Sequence, residues 1–382
     1  MDGPAPPRRR WFERLTPGRA LALALVGVGL AVVSANTSEA DESLWLGAAL
    51  AATGLGALLA RETASRRRWL EMLAVLVLVL GGAEVAVRRE SAAAQRDYAN
   101  RQMRFVDDPE LKYEFRPATK CGDGAINERG MLDLPRTLEK PEGTLRVVCL
   151  GDSVGGDCSL PRTNACAALE EELSLALGGR KVETLNFSVP GYNTMQEARA
   201  LETKAMAFQP DAIVVLYVLN DPYPELAMVQ HLPGHLKFEH LLYFGTLTAL
   251  GRVVPSLDPT IRGLAALHDR PRAWETVLVR GFDRIEAQAS PGGLPVVLSI
   301  FPLFIEPRPK LLDGVYEKVA TEGRRHGFVP IKLGPDVYGA EPLTAFLKPS
   351  RDIIHPDARA HRLAARAIAR ALAEARPAWK TP

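Results

Sequence analysis

The fold is decided by the stretch Val147-Val148-Cys149-Leu150-Gly151-Asp152-Ser153-Val154-Gly155. An apolar, β-prone run over residues 145–150 stops at Gly151, and residues that favour a tight turn follow it. A helix-like pattern begins near Ala165. This order predicts a strand that ends at the edge of a parallel sheet, where open α/β sheets bind their ligands. Ser153 lies at that edge, in a position suited to a catalytic nucleophile.

The region from residue 145 to 376 alternates strand-like and helix-like patterns. Strands are predicted over residues 145–150, 181–187, 211–219, 294–301 and 328–333, and helices over 165–177, 194–207, 274–288, 311–326 and 357–375. Alternation of this kind predicts an α/β domain with a parallel sheet and helices on both faces. Residues 222–272 interrupt this alternation of strands and helices, and we expect an insertion of this length to shape a substrate cleft.

A histidine near the C-terminal end of the sequence is a candidate for the base that a serine nucleophile needs. Asp352 precedes His355 by three residues, just before the last predicted helix. A hydroxyl nucleophile needs a base, and the base needs a carboxylate that orients it. Two other residues, Gly191 and Asn220, each follow a predicted strand. Four loops at strand ends therefore carry groups suited to acyl transfer.

These loops resemble the four blocks of the SGNH (GDSL-type) hydrolase family, over roughly residues 142–376. The matching residues are Gly151-Asp152-Ser153, Gly191, Asn220-Asp221 and Asp352-Ile353-Ile354-His355. The resemblance implies a flavodoxin-like, three-layer α/β domain with Ser153 as nucleophile, His355 as base and Asp352 as its partner. It also implies an oxyanion hole made by the backbone N–H groups of Ser153 and Gly191 and the side chain of Asn220.

One position departs from the family pattern. The family has a glycine two residues before the asparagine, where this chain has Val218. Because Asn220 is retained, we expect the oxyanion hole to survive, with a loop of different shape and a different accepted substrate size. The two acidic neighbours, Asp152 and Asp221, are each expected to brace their own loops.

Charge and hydropathy divide the chain. Lys and Arg number 47 against 45 Asp and Glu, and this balance argues against a nucleic-acid binder. Three apolar runs lie in the first 88 residues, over 20–38, 43–60 and 69–87, and each is near the roughly 20 residues that span a bilayer. They predict three transmembrane helices, the first an uncleaved anchor because further apolar runs follow it.

The arginines near these runs predict the topology. The N-terminal segment and residues 61–68 are arginine-rich, whereas the loop between the first two runs has no Lys or Arg. The positive-inside rule then keeps both basic segments cytoplasmic and carries the catalytic domain to the outer face of an inner or plasma membrane. Three arginines after the third run, Arg88, Arg89 and Arg96, oppose this orientation. If the third run does not span, the catalytic domain is cytoplasmic.

Residues 89–144 are predicted to be a juxtamembrane stalk and linker. The third helix is expected to continue over residues 89–104, and residues 107–117 read as extended. With residues 127–131, the extended part resembles the segment that precedes the catalytic domain in membrane-linked bacterial SGNH proteins. The plainer interpretation is a linker that packs beside the domain.

The cysteines leave several pairings open. Cys149 lies within a strand and is expected to be a buried small hydrophobe. An oxidising compartment would allow one disulfide, either Cys158 with Cys166 or Cys121 with one of them, and free thiols are the alternative. No cofactor is expected, and no spacing indicates structural zinc. The loop histidines of the insertion, His231, His235 and His240, are expected to be solvated rather than metal ligands.

Together these features predict a membrane-anchored serine esterase that hydrolyses an acyl ester. The resemblance and the location point to O-acetyl groups on cell-envelope polysaccharide as the substrate. The alternatives are an O-acyltransferase that acts on a glycan through the same triad, a lipid esterase or thioesterase, and a non-catalytic glycan-binding scaffold.

Overall fold

The computed structural model describes residues 102–160, 162–224, 259–339, 341–348 and 353–380, together with Ser65. The three predicted transmembrane helices and the larger part of the insertion lie outside the described residues, as do His231, His235 and His240. Within the described ranges, no helix combines the length and the apolar character needed to cross a membrane. The membrane helices and the domain boundaries stay predictions.

The elements follow the predicted alternation closely. The strands are β1 (Met103–Phe105), β2 (Tyr113–Phe115), β3 (Thr119–Cys121), β4 (Gly124–Ile126), β5 (Leu145–Gly151), β6 (Val182–Asn186), β7 (Ala212–Tyr217), β8 (Val296–Ile300) and β9 (Val329–Lys332). The helices are α1 (Ala165–Ala176), α2 (Thr194–Thr203), α3 (Pro259–Leu267), α4 (Pro271–Ala273), α5 (Arg280–Ala289), α6 (Leu311–Arg325), α7 (Pro335–Tyr338) and α8 (Ala358–Ala375). A π-helical stretch, Trp274–Val279, joins α4 to α5.

Strands β5 to β9 form one parallel sheet in the order β6-β5-β7-β8-β9. The chain passes from β5 to β6 on one side and then returns to β7 on the other side. The carboxyl ends of β5 and β7 therefore flank the switch point of the sheet, which is where open α/β sheets bind ligands. The predicted α/β fold with a parallel sheet is confirmed.

Each face of the sheet is covered by helices, because side chains of a strand point alternately to opposite faces. In β5, Val148 and Leu150 join the core under α2, α5 and α6. Their neighbours Val147 and Cys149 join the core under α1 and α8. Strands buried on both sides must be apolar at nearly every position, which accounts for the continuous apolar runs of the sequence.

Residues 102–132 form what we call the N-terminal wall. It contains two antiparallel hairpins, β1–β2 and β3–β4. Their apolar side chains form a third core with Val189, Tyr192 and Ala200 of the catalytic domain. The Tyr192 hydroxyl donates to the carbonyl of Tyr113 at 2.6 Å. This part of the predicted linker therefore packs beside the catalytic domain, as the plainer of the two interpretations expected.

The helical stalk predicted over residues 89–104 is wrong at its C-terminal end. Met103 and Arg104 lie in strand β1, paired with β2. Met103 is buried in the third core, and that packing against the hairpin outweighs the local helical pattern. Residues 89–101 lie outside the described part of the chain.

The structure contains two disulfides. Cys121 in β3 pairs with Cys158 after the nucleophile loop, and Cys149 in β5 pairs with Cys166 in α1. The first is one of the pairings left open by the sequence. Cys149 is buried as predicted, but it is disulfide-bonded. The open alternatives of a Cys158–Cys166 bridge and of free thiols are wrong, because α1 packs on the strand and brings Cys166 to Cys149, with 6.0 Å between their Cα atoms.

Removing the bridge to the N-terminal wall is expected to destabilise the domain. Cys121→Ser with Cys158→Ser opens a loop that spans 37 residues of sequence separation, and the free energy of unfolding should fall by about 2–4 kcal/mol. Urea unfolding of the oxidised wild type and the double variant measures this. A free thiol at Cys158 in the oxidised native protein, detected by alkylation, would contradict the pairing.

Candidate active site

Three of the four predicted loops meet at the carboxyl edge of the sheet. Ser153 follows β5, Gly191 follows β6, and Asn220 follows β7. Because β5 lies between β6 and β7, these loops are neighbours. Register places Cys149 opposite Asn186 and Gly151 opposite Leu216, so the three strands end at about the same level.

The fourth loop brings a histidine to the serine. His355 Nε2 lies 2.8 Å from Ser153 Oγ, although 202 residues separate them in the sequence. Both side chains are half-buried, which leaves them accessible from one side. The histidine loop is held from two directions: the Ile353 carbonyl accepts from Phe304 N at 2.7 Å, and Asp357 caps α8 by accepting from Ala360 N at 2.9 Å. A hydroxyl and an imidazole at this distance can exchange a proton.

The third predicted triad member, Asp352, lies outside the described residues, and its role stays a prediction. Of the oxyanion-hole residues, Gly191 has a φ of +78°, a conformation that favours glycine, in the turn where Tyr192 N donates to the Val189 carbonyl at 3.0 Å. Asn220 is half-buried and donates through Nδ2 to Asp152. The structure thus places Ser153, Gly191 and Asn220 on adjoining loops.

The two acidic neighbours brace their loops as predicted. Asp152 is fully buried, and its Oδ1 accepts from Val154 N at 2.9 Å. Asp221 is also fully buried, and its Oδ2 accepts from Val218 N at 3.0 Å. Val218 stands where the SGNH pattern has a glycine, and its side chain is buried in the core under α1 and α8.

A third buried carboxyl, Glu197 of α2, was not predicted. Neither of its carboxyl oxygens has a hydrogen-bond partner among the described residues. Burial raises the pKa of Glu197 well above its usual range, and the charge of Asp152 adds to the effect. Burial likewise raises the pKa of Asp221, with Glu197 and Asp152 contributing. The sequence signal was the position of Glu197 on the buried stripe of α2, three residues after Thr194 and four before Leu201.

This buried carboxyl predicts a stability effect that depends on pH. Because the pKa of Glu197 is raised in the folded state, the unfolded chain loses this proton first as pH rises above about 4.5, and the free energy of unfolding falls. The slope is at most about 1.4 kcal/mol per pH unit for one group. Glu197→Gln keeps a neutral side chain of the same size. We expect it to be more stable than the wild type at pH 8, by a margin that shrinks at pH 5.

Urea unfolding at the two pH values provides the measurement. Glu172→Gln is the matched control, since Glu172 is also buried on a helix but forms an ion pair with Arg366 at 3.1 Å. Glu172→Gln loses the ion pair with Arg366, so its free energy of unfolding should not rise at pH 8. A Glu197→Gln variant that is less stable than the wild type at pH 8 would show that Glu197 is ionised and paired in the folded protein.

A cavity of about 440 Å³ opens beside the serine and histidine. Its lining residues are Gln102, Gly122, Ser153, Gly156, Asp157, Cys158, Ser159, Pro190, Lys348 and His355. Lys348 forms an ion pair with Asp157, which ties the nucleophile loop to the segment before the histidine. The N-terminal wall supplies Gln102 and Gly122. A side chain at Gly122 would collide with the Cys158 carbonyl, so the wall is packed directly onto the nucleophile loop.

Among the described residues, one group of side chains has metal-ligand character. Asp283, Glu286 and His326 have ligand atoms within 4.8 Å of one another. His326 Nε2 lies 3.0 Å from Asp283 Oδ1, and a hydrogen bond accounts for this contact. None of the three lines the cavity at Ser153.

The parallel sheet has its switch point at β5 and β7, and the loops with the predicted site residues lie at its carboxyl edge. The order of the strands, the loops that follow them and the contact between Ser153 and His355 fit the arrangement that the resemblance to SGNH (GDSL-type) hydrolases predicts.

No family model and no curated protein matches the chain. Among solved structures, the lipase/acylhydrolase from Enterococcus faecalis is 16% identical, covers 60% of this chain and 96% of its own, and has a TM-score of 0.39. LAE5, an alpha/beta hydrolase enzyme from the metagenome of Lake Arreo, Spain, is 17% identical over 62% of this chain and 98% of its own, with a TM-score of 0.38. Axe2, an acetylxylan esterase from Geobacillus stearothermophilus, is 14% identical over 60% of this chain and 94% of its own, with a TM-score of 0.38. At these values the likenesses carry no argument about function.

Proposed function

We propose that this protein is a membrane-anchored serine esterase that removes small acyl groups, such as O-acetyl, from cell-envelope polysaccharide. The observation that carries the esterase chemistry is the 2.8 Å contact between Ser153 Oγ and His355 Nε2 at the carboxyl edge of the sheet. The proposed triad is Ser153, His355 and Asp352.

The reaction proceeds by two acyl transfers. His355 Nε2 takes the proton of Ser153 Oγ while the oxygen bonds to the ester carbonyl carbon. The resulting oxyanion is held by the N–H groups of Ser153 and Gly191 and by Asn220 Nδ2. The carbon–oxygen bond to the alcohol then breaks, and the alcohol leaves with the proton from His355. Water repeats the sequence and releases the acyl group as an acid.

The two disulfides support an extracytoplasmic position for the catalytic domain. Both cysteine pairs of the described chain are bridged, and such bridges persist in oxidising compartments. This agrees with the topology predicted by the arginine distribution, in which the acidic loop and the catalytic domain share the outer face. An envelope polysaccharide is then the acyl-bearing polymer within reach of the site.

A fluorophosphonate probe tests the chemistry. The full-length protein in detergent is treated with the probe, and the modified residue is identified by mass spectrometry. We expect modification at Ser153, lost in Ser153→Ala. The cavity offers a second hydroxyl at Ser159, which bonds Asp157 at 2.7 Å and Lys348 at 3.1 Å instead of a histidine. Labelling at Ser159, or none on folded protein, would refute the proposed nucleophile.

The acyl acceptor needs a separate measurement. Acetate release from O-acetylated polysaccharide is compared with acetyl transfer to an added, unacetylated glycan. Release into water without transfer is the expected result. Transfer in preference to release would make the protein an acyltransferase with the same nucleophile.

A further inference from the structure

The carboxylate next to the nucleophile makes a contact that the reaction scheme above does not use. Asp152 Oδ2 accepts from Asn220 Nδ2 at 2.7 Å and lies 3.2 Å from Ser153 Oγ. Its other oxygen, Oδ1, accepts from Val154 N. Asp152 has no exposed surface, so its two carboxylate oxygens face protein donors.

The contact determines which way the Asn220 amide points. A carboxylate only accepts hydrogen bonds, so the amide atom that faces Asp152 is the nitrogen. The Asn220 oxygen, Oδ1, is buried and has no hydrogen-bond partner in the described ranges. Asp152 is therefore the group in these ranges that fixes the orientation of the amide.

An amide nitrogen carries two N–H donors. One of them is held by Asp152 Oδ2, and the other makes no hydrogen bond within the described ranges. Because the amide group is planar, holding the first N–H also fixes the direction of the second. The oxyanion of the proposed reaction would form next to Ser153, whose Oγ already lies 3.2 Å from the same carboxylate oxygen.

We propose that Asp152 is a positioning residue that presents the second N–H of Asn220 to the oxyanion. This rests on the proposed esterase function and extends it by one residue. Bracing of the turn through Val154 is a separate role, carried by the other carboxylate oxygen. The two roles predict different kinetics.

Asp152 differs from its two buried acidic neighbours in its hydrogen-bond partners. Its oxygens accept from Val154 N and Asn220 Nδ2, whereas among the described residues the Glu197 carboxyl has no partner and the Asp221 carboxyl accepts one hydrogen bond. Burial raises the pKa values of Glu197 and Asp221. Tyr217, on β7, faces the same cluster and has a hydroxyl bonded to His268 Nε2 at 2.7 Å. Among these groups, Asp152 is the carboxyl that contacts the Asn220 amide.

A double-mutant cycle on the full-length protein tests the proposal, with p-nitrophenyl acetate as substrate. Asn220→Ala should lower kcat by about 100- to 1000-fold, the usual effect of losing one oxyanion donor. Asp152→Asn keeps the side-chain size but cannot accept from both Val154 and Asn220. It should lower kcat by about 10- to 100-fold, a part of the full donor effect, with KM within about threefold.

The double variant decides between the two roles. If Asp152 acts through Asn220, then Asp152→Asn with Asn220→Ala is no slower than Asn220→Ala alone. If the two losses multiply, Asp152 acts by another route and the proposal is wrong. An inactive and unlabelled wild type would instead overturn the proposed function, and this inference with it.

A swapped pair keeps the test decisive if Asp152→Asn alone does not fold. Asp152→Asn with Asn220→Asp restores a hydrogen bond between the two side chains but presents a carboxylate to the oxyanion. The fold should be recovered while kcat stays as low as in Asn220→Ala. Recovery of kcat by the swap would overturn the proposal.

Ser188→Ala controls for packing under the nucleophile loop. The Ser188 side chain is buried, lies against Gly151 and Gly155, and has a hydroxyl without a partner in the described ranges. We expect its kcat to stay within about threefold of the wild type. A loss as large as that of Asp152→Asn would mean that any disturbance beneath this loop slows the reaction, and would overturn the assignment to Asp152.

Discussion

Ser153→Ala is expected to lower kcat for ester hydrolysis by about 10⁴- to 10⁶-fold, with KM changed by less than about threefold. Ser153 Oγ is the atom that bonds to the acyl carbon in the proposed reaction, and alanine has no atom to replace it. The side chain is small and half-buried, so the fold should be unaffected. Steady-state kinetics with p-nitrophenyl acetate and thermal unfolding of both proteins measure the two effects.

The pair of residues is tested by combining variants. His355→Ala should cost about as much as Ser153→Ala, and the double variant should be no slower than either, because the residues act as one unit. Ser159→Ala is the matched serine variant in the same cavity. Its kcat should fall by less than about tenfold. Turnover by Ser153→Ala above a hundredth of the wild-type rate would place the nucleophile elsewhere.

The fold was predictable because its signals are local. Strands buried on both faces must be apolar along their length, and β5 and β7 are. The helices show the apolar spacing of elements that cover a sheet. The contact between Ser153 and His355 spans 202 residues, yet it was predictable because parallel strands deliver the loops that follow them to one edge.

The features that the sequence did not reveal depend on tertiary placement. The bridge between Cys149 and Cys166 forms because α1 packs on β5, and nothing in the spacing of four cysteines specifies that pairing. The N-terminal wall has short, mixed strands, whose pairing comes from packing on Val189 and Tyr192. The position of Glu197 on one stripe of α2 is visible in the sequence, but the structure is needed to show that its carboxyl is buried without a hydrogen-bond partner among the described residues.

The carboxylate that orients His355 is the subject of the second large prediction. Asp352→Ala should lower kcat by about 10³- to 10⁴-fold, less than loss of the base itself, because orientation is one contribution to the base rather than the whole of it. Asp352 was assigned from its position three residues before His355. The loss should appear in kcat, with KM little changed, since the carboxylate does not touch substrate in the proposed reaction.

Asp357 provides a control within the same loop. It lies two residues after His355 and caps α8 through Ala360 N at 2.9 Å. Replacing a helix N-cap by alanine typically costs about 1 kcal/mol of stability, so Asp357→Ala should unfold more easily while its kcat stays within a few-fold of the wild type. The two variants therefore separate a loss of catalysis from a loss of stability, and both are measured by kinetics and urea unfolding. A fully active Asp352→Ala with an inactive but folded Asp357→Ala would show that the wrong carboxylate had been assigned to the triad, since both acids lie within three residues of the histidine.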